Sequence, residues 1–249
     1  MQIQQILFTQ GFGTRRVCAG LVEQGHVTVE GLPCDDPGAG FEPVGLHFTV
    51  QGRAWEYHEK AYLLLHKPAG YECSARPSTW PSVYTLLPAP LRQRPQRQAM
   101  DGVQAVGRLD QDTTGALLLS DDGAFIHRMS SPRRHVPKVY EVEARHDVTP
   151  AMVERLLAGV VLEDDPVPVR AAACEATGGT GLRLTLTEGK YHQVKRMVAA
   201  VGNRVERLHR SRIGGLDLGG LAPGQWRWLA PDDLALLQPA ARADRPGTP

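Results

Sequence analysis

Residues 107–123, GRLDQDTTGALLLSDDG, decide how this chain reads. A short apolar run at 103–106 leads into Gly107-Arg108-Leu109-Asp110. A polar Gln-Asp-Thr-Thr-Gly turn follows, and residues 116–120 resume an apolar run before Asp121-Asp122-Gly123. That order predicts strand, tight turn, strand and turn. It delivers Asp110 to the end of a strand, where a carboxylate can face a cleft while the sheet behind it holds its backbone still. Taken alone, an Asp at such a place more often bonds the backbone N–H groups of its own turn.

The chain of 249 residues suits one large domain or two modest ones, and with 42% hydrophobic residues it can build a real core. No apolar run approaches the length that spans a bilayer, and the first ten residues lack a basic segment followed by an apolar one. A soluble, unexported, cytoplasmic protein is expected. Cys18, Cys34, Cys73 and Cys174 stand singly with no Cys-x-x-Cys pair, which suggests neither a zinc site nor a disulfide framework. The net charge of +1 conceals an asymmetry. Residues 1–59 carry 3 basic against 7 acidic side chains, and the remainder 25 against 20. The second part has the sign expected for touching phosphates. Its cations also cluster: Arg92, Arg94 and Arg97; Arg128, Arg133, Arg134, His135 and Lys138; Arg204, Arg207, Arg210 and Arg212. Each cluster alone could be a solvated face, but three around one candidate site favour a polyanion.

Residues 1–58 look like a small module. Thr14 is a suitable N-cap for a helix ending at Gly25, followed by a short strand at 26–30 and a turn at Gly31. Residues 50–60 read as a polar, irregular boundary. Residues 62–66 form an apolar strand that Lys67-Pro68-Ala69-Gly70 turns. Lys67 either helps shape the site or is a turn lysine in solvent. Residues 88–100, PAPLRQRPQRQAM, read as a basic loop beside the site with no regular element. Further on, 124–129 form a short helix, 138–144 (KVYEVEA) a strand with Tyr140, Val142 and Ala144 on one face, and 149–158 a helix capped by Thr149. A strand at 182–187 turns into a helix at 191–201, with Val194, Met197, Val198 and Val201 on one face and His192, Lys195 and Arg196 on another. Cations at a helix start oppose the helix dipole, so an acid should stand close to them. A strand at 204–213 and a short helix at 231–237 complete the domain, with residues 239–249 expected to be a disordered tail.

The string at 107–123 resembles the central motif of the pseudouridine synthases, in the branch that modifies ribosomal RNA and carries an S4-type RNA-binding domain in front. Gly107, Arg108, Leu109, Asp110, Thr113, Thr114, Gly115, Asp122 and Gly123 carry the match. Lys67-Pro68-x-Gly70, the Lys-x-Tyr of 138–140 and EGKYHQVKRMVAAVG at 188–202 are similar to the family's other motifs. The resemblance implies an α+β fold: a catalytic domain on a mixed, mainly antiparallel sheet at 59–238, preceded by a small S4-like module at 1–58. It makes Asp110 the catalytic residue and Lys195, or else Arg196, its ion-pair partner. Tyr140 becomes the residue that packs on the target base and is a candidate for the C5 proton. Arg108 would hold a phosphate or fill the space of an extruded base, with Lys67, His192 and Arg196 also near the substrate. RNA contacts are expected from Arg15, Arg16, His26 and Thr28 in the front module, although it is acidic overall and lacks the usual Arg-Leu-Asp opening. Arg133, Arg134 and Lys138 would add contacts from the catalytic domain.

The reaction so implied converts uridine to pseudouridine and requires no metal, redox change or organic cofactor. Positive charge develops at ribose C1′ as the base leaves, so a carboxylate must stand beside it, as in glycoside cleavage. A uridine in folded RNA must also be flipped out. The wording at 191–197 and at 208–215 is closest to the enzymes that modify one uridine of 16S rRNA, with 23S rRNA and tRNA as alternatives. The implied partner is rRNA in a small-subunit assembly intermediate, and the implied state a monomer. A non-catalytic RNA-binding assembly protein is the reading from a different class.

Overall fold

The computed structural model describes residues 1–95, 102–131, 134–163 and 165–237. Arg97, Arg133 and the tail at 239–249 lie outside the described residues. The chain opens with helices α1 (Ile3–Gln10) and α2 (Arg15–Glu23) and strands β1 (Val27–Val29), β2 (Leu32–Cys34), β3 (His47–Val50) and β4 (Arg53–Glu56). Then come β5 (Tyr62–Lys67), α3 (Ala89–Gln93), β6 (Gln104–Ala105), β7 (Thr114–Ser120), α4 (Gly123–Ser130) and β8 (Lys138–Ala144). Helix α5 (Pro150–Ala158) precedes β9 (Val160–Leu162), β10 (Asp165–Val169), β11 (Ala173–Gly178) and β12 (Gly181–Leu186). The last elements are α6 (Gln193–Ala200), β13 (Val205–Ile213), β14 (Leu216–Asp217), β15 (Trp226–Trp228) and α7 (Pro231–Leu236).

Two compact units emerge. One gathers Met1–Tyr62, Leu119–Ile126 and the described part of Tyr84–Ala105. In it a four-stranded antiparallel sheet, ordered β2-β1-β3-β4, joins α1 and α2 around Ile3, Ile6, Leu7, Cys18, Val22, Val27 and Phe48. Thr14 caps α2 by accepting from the Val17 N–H. Of residues 50–60, expected to be irregular, 50–56 instead complete the β3–β4 hairpin with its turn and second strand, while 57–60 are irregular. Gln51 and Gly52 both take positive φ, +50° and +76°, which is the two-residue turn that matches strand twist.

The basic loop expected at 88–100 also needs correcting over its described part. Pro88 and the residues after it start α3, with Pro90 in the first turn where a missing N–H costs nothing. Arg94 is not beside a site but buried, 2% exposed. Its Nε donates to Asp121 Oδ2 at 2.6 Å, Nη1 to Gln10 Oε1 at 2.9 Å, and Nη2 to the His58 and Glu59 carbonyls at 2.7 and 3.1 Å. Asp121 in turn accepts from the Ala61 N–H at 2.7 Å.

The other unit gathers Leu63–Val83, Val106–Leu118 and the described residues from His127 onward. Its sheet runs β11-β12-β8-β13-β7-β5-β15, antiparallel at β11·β12, β12·β8, β8·β13 and β5·β15 and parallel at β13·β7. The fold is therefore α+β on a mixed, mainly antiparallel sheet. Val142, Leu184 and Leu208 share a core with Leu156 of α5 and Val194, Met197 and Val198 of α6, so these helices cover the sheet face that also carries Tyr140. The parallel pairing of β13 with β7 explains one glycine: at Gly115, φ +112°, a Cβ would meet the Arg210 carbonyl oxygen at 2.2 Å. The strand expected before Asp110 shrinks to the two residues of β6. Gly107, at φ +73°, turns the chain away, so Asp110 sits on a loop that enters β7 and not at a strand end.

Candidate active site

A cleft of about 370 Å³ opens over β8 and β13, lined by Arg108, Asp110, Thr113, Lys138, Tyr140, His192, Lys195 and Arg210 among others. Its carboxylate comes from the 107–113 loop, and the loop is held from beneath. Lys67, at the end of β5, is fully buried, and its ammonium donates to the carbonyls of Pro68 (3.0 Å), Gln111 (3.2 Å) and Thr113 (2.9 Å). The Gly70 N–H adds a bond to the Gln111 carbonyl at 2.8 Å. The solvent alternative for Lys67 thus fails. Its side chain replaces the hydrogen bonds that the turn backbone cannot make for itself. Burial pushes the Lys67 pKa down, opposed by the nearby Asp112 and Asp110 charges.

Helix α6 brings the cations. His192 caps it with φ +48°, and this left-handed residue swings the imidazole over the loop, Nε2 at 3.3 Å from Asp110 Oδ1. Lys195 Nζ stands 3.2 Å from Asp110 Oδ2. It is closer still to Asp112, at 2.7 and 2.8 Å from its two oxygens. Two carboxylates therefore stand at the start of a helix that has cations but no acid in its own first turn, which is where the dipole favours them. Burial pulls the Lys195 pKa down, yet hydrogen bonds and charge from Asp112 and Asp110 leave it raised. Burial likewise pushes Asp112 up, and Lys195 leaves it lowered overall. Arg196 does not share this role; its Nη1 donates to the Tyr191 carbonyl at 3.0 Å.

The sheet supplies the floor. Tyr140 is paired across the strands with Arg210, so both side chains leave the same face. Arg108 is exposed at the rim. Lys138 lines the cleft, its pKa lowered by burial and by the Arg210 charge. Arg134 is exposed. In the front unit Arg15, Arg16 and His26 are exposed, while Thr28 spends its hydroxyl on Thr49 at 2.8 Å. Arg15 also lies over the Phe8 ring, 5.0 Å from its centroid.

Two residues, Arg210 in this cleft and Asp112 bound to Lys195 beside it, escaped the sequence reading in any individual role. Asp112 lies within the 107–123 string, and its placement two residues after Asp110, on a turn, was the available signal. Arg210 sat in a cluster of four arginines on β13. Alternation along the strand separates it from exposed Arg207 and groups it with buried Leu208, while Arg212, of the same parity, is set apart only by the register shift between Arg210 and Arg212.

A family model described as RNA pseudouridylate synthase matches residues 61–200, and one for the S4 domain matches residues 1–40. The chain is 37% identical over 241 residues to a Bacillus subtilis (strain 168) protein named uncharacterized RNA pseudouridine synthase YtzG, covering 95% of this chain and 98% of that one. It is 39% identical over 230 residues to ribosomal small subunit pseudouridine synthase A of Escherichia coli (strain K12), covering 91% and 95%. A solved crystal structure of a pseudouridylate synthase superposes with a TM-score of 0.65 at 29% identity, over 95% of this chain and 99% of that one. With more than half its length matched by the family model and nearly all of it by such relatives, the chain belongs to the RNA pseudouridylate synthase family.

Proposed function

We propose that this RNA pseudouridine synthase isomerises one uridine of 16S rRNA, using Asp110 as its catalytic residue. The observation that carries the chemistry is the carboxylate of Asp110 held against Lys195 at 3.2 Å in a cleft floored by Tyr140. As the C1′–N1 bond breaks, Asp110 stabilises the sugar, either by bonding to C1′ or by taking the C2′ proton. Lys195 aims the carboxylate and balances its charge from 3.2 Å. Tyr140 packs on the uracil and stands where the C5 proton is lost. Arg108 at the rim, with His192, Arg134 and Lys138, meets the phosphates of a flipped-out nucleotide.

The choice of 16S rRNA rests on the 39% identity to a small-subunit enzyme. Residues 1–58 act as the front RNA-binding module, through exposed Arg15, Arg16 and His26, and residues 59–238 as the catalytic domain. Because Thr28 is bonded to Thr49, it serves the module's sheet before it serves RNA. The working partner is rRNA in a small-subunit assembly intermediate, met by a monomer in the cytoplasm. Among the described residues no helix is long and apolar enough to cross a membrane.

The test incubates purified protein with unmodified 16S and 23S rRNA, tRNA and small-subunit assembly intermediates, and maps pseudouridine by chemical labelling and primer extension. One new site in 16S rRNA is expected. It should vanish with Asp110→Asn, which keeps shape and RNA binding but lowers the rate by at least about 10⁴-fold. A site in 23S rRNA or tRNA would keep the chemistry and overturn the substrate. Binding without product on any RNA would favour the non-catalytic assembly protein.

A further inference from the structure

The cleft contains a buried cation that the mechanism above does not use. Arg210 is 4% exposed and lines the cleft beside Tyr140. Its Nε donates to the Ala116 carbonyl at 2.7 Å, which fixes the plane of the guanidinium. Its Nη2 is enclosed without a hydrogen-bond partner, and among the described residues no carboxylate pairs with it. A guanidinium cannot shed its proton to relieve this, unlike a lysine. Its neighbours make matters worse: the Arg210 charge presses on both Lys67 and Lys138. A second orphan lines the same cleft, the hydroxyl oxygen of Thr113, which is 1% exposed. Buried polar groups without partners are costly, so they point to something that completes them. Here that is a group rich in acceptors and, at some stage, negatively charged.

The reaction generates such a group. When the C1′–N1 bond breaks, its electron pair stays on N1, and the uracil carries a negative charge spread over N1, O2 and O4. This holds whether Asp110 bonds to C1′ or takes the C2′ proton. The freed base must then turn about its N3–C6 axis, which exchanges N1 with C5 and O2 with O4. Carbon C5 forms the new bond to C1′, the C5 proton is lost, and N1 gains a proton, so composition is unchanged. We propose that the Arg210 guanidinium stabilises the detached uracil anion, donating to whichever of its two carbonyl oxygens faces the sheet. Because the turn swaps one carbonyl for the other, the same donor serves the base before and after it. Preorganised donors aimed at developing charge are the most effective kind, and this one is fixed before substrate arrives.

This inference rests on the proposed function, and the test separates the two. Single-turnover loss of the N-linked nucleoside is measured on RNA carrying either uridine or 5-fluorouridine at the target position; the fluorinated base, with no C5 proton to lose, stops at the C-linked adduct. Fluorine stabilises the base anion by itself, so the leaving base needs less help. Arg210→Met should slow uridine roughly 100-fold and 5-fluorouridine less than about 10-fold, the first figure being that for removing one donor to a developing anion. Arg210→Lys keeps charge but cannot serve Ala116 and the cleft together, and should show the same bias in smaller measure. If Arg210→Met does not fold, the lysine variant carries the comparison. Equal losses on both substrates would mean a merely structural role and overturn the inference. A wild-type protein that makes no pseudouridine would overturn the assigned function, and this inference with it.

Discussion

Arg94 and Arg210 are both withdrawn from solvent, 2% and 4% exposed, and they are held in opposite ways. Arg94 uses its three nitrogens on four acceptors, one of them the carboxylate of Asp121 at 2.6 Å. It does not line the cleft of Asp110. Arg210, among the described residues, makes one bond, to a backbone carbonyl, and lines the cleft of Asp110 with its Nη2 left without a partner. A buried charge whose partners are all in place belongs to the fold. One with donors left over belongs to whatever visits, and the same residue type can therefore mark structure in one unit and chemistry in the other.

The largest expected effect breaks the comparison if it fails to appear. Arg94→Met leaves the Asp121 carboxylate buried and unpaired, and should cost about 3–5 kcal/mol of stability. Arg210→Met removes a cation that repels Lys67 and Lys138 and strands only the Ala116 carbonyl, so its stability should move by less than about 1 kcal/mol. Urea unfolding of the two variants beside the wild type measures both. Similar losses would show that Arg210 is a structural arginine after all. The folded fraction of the Arg94 variant should turn over normally.

This contrast also explains what could be read from the chain. Elements set by local rules were legible: the Thr14 and Thr149 caps, the alternating strands β8 and β12, and the apolar face of α6 that ends in Val201. The mixed sheet and the motif loop followed from a long family resemblance. Elements set by tertiary context were not. The β9–β10 hairpin has no sustained alternation and a register shift between Asp165 and Val169. Residues 88–95 looked like part of a basic loop beside the site because Pro, Gln and Arg are common there. The carboxylate that buries Arg94 lies 27 residues on, and no local pattern announces it. The site divided in the same way. Asp110, Tyr140 and Lys195 stood in motifs, whereas Asp112 and Arg210 gain their meaning only from distances.

Lys67 stands between the two arginines and sharpens the rule. It is fully buried like Arg94, carries no carboxylate like Arg210, and satisfies its three protons on three carbonyls. It should therefore act on both fold and chemistry. Lys67→Met strands three acceptors and should cost about 1–3 kcal/mol. The loop it pins carries Asp110, so turnover should fall about 10-fold or more even at temperatures where the variant is fully folded. The RNA affinity should hold, since Lys67 does not reach the cleft surface. A variant with lowered stability and unchanged turnover would return Lys67 to the class of Arg94.

The smallest effect concerns a charge that is not buried. Asp112 has a side chain 53% exposed and takes the shorter contacts to Lys195, leaving Asp110 the longer one. Exposed pairs are worth about 0–1 kcal/mol. Asp112→Asn should thus change the rate at neutral pH by less than about 5-fold, and its signature lies in the pH profile. The raised pKa of Lys195 means that its favourable contribution is complete below the ordinary lysine range and is lost as pH rises through the folded value. The lowered pKa of Asp112 means that its share is complete above the ordinary carboxylate range and is lost as pH falls through its own folded value. Both charges are therefore present across neutral pH. Removing Asp112 takes away the first of the influences that raise Lys195, so the alkaline fall in single-turnover rate should move to lower pH. An unmoved alkaline limb would mean that Asp110 alone holds Lys195 charged. A loss as large as that from Asp110→Asn would make Asp112 a working carboxylate of the reaction and not a support for its neighbour.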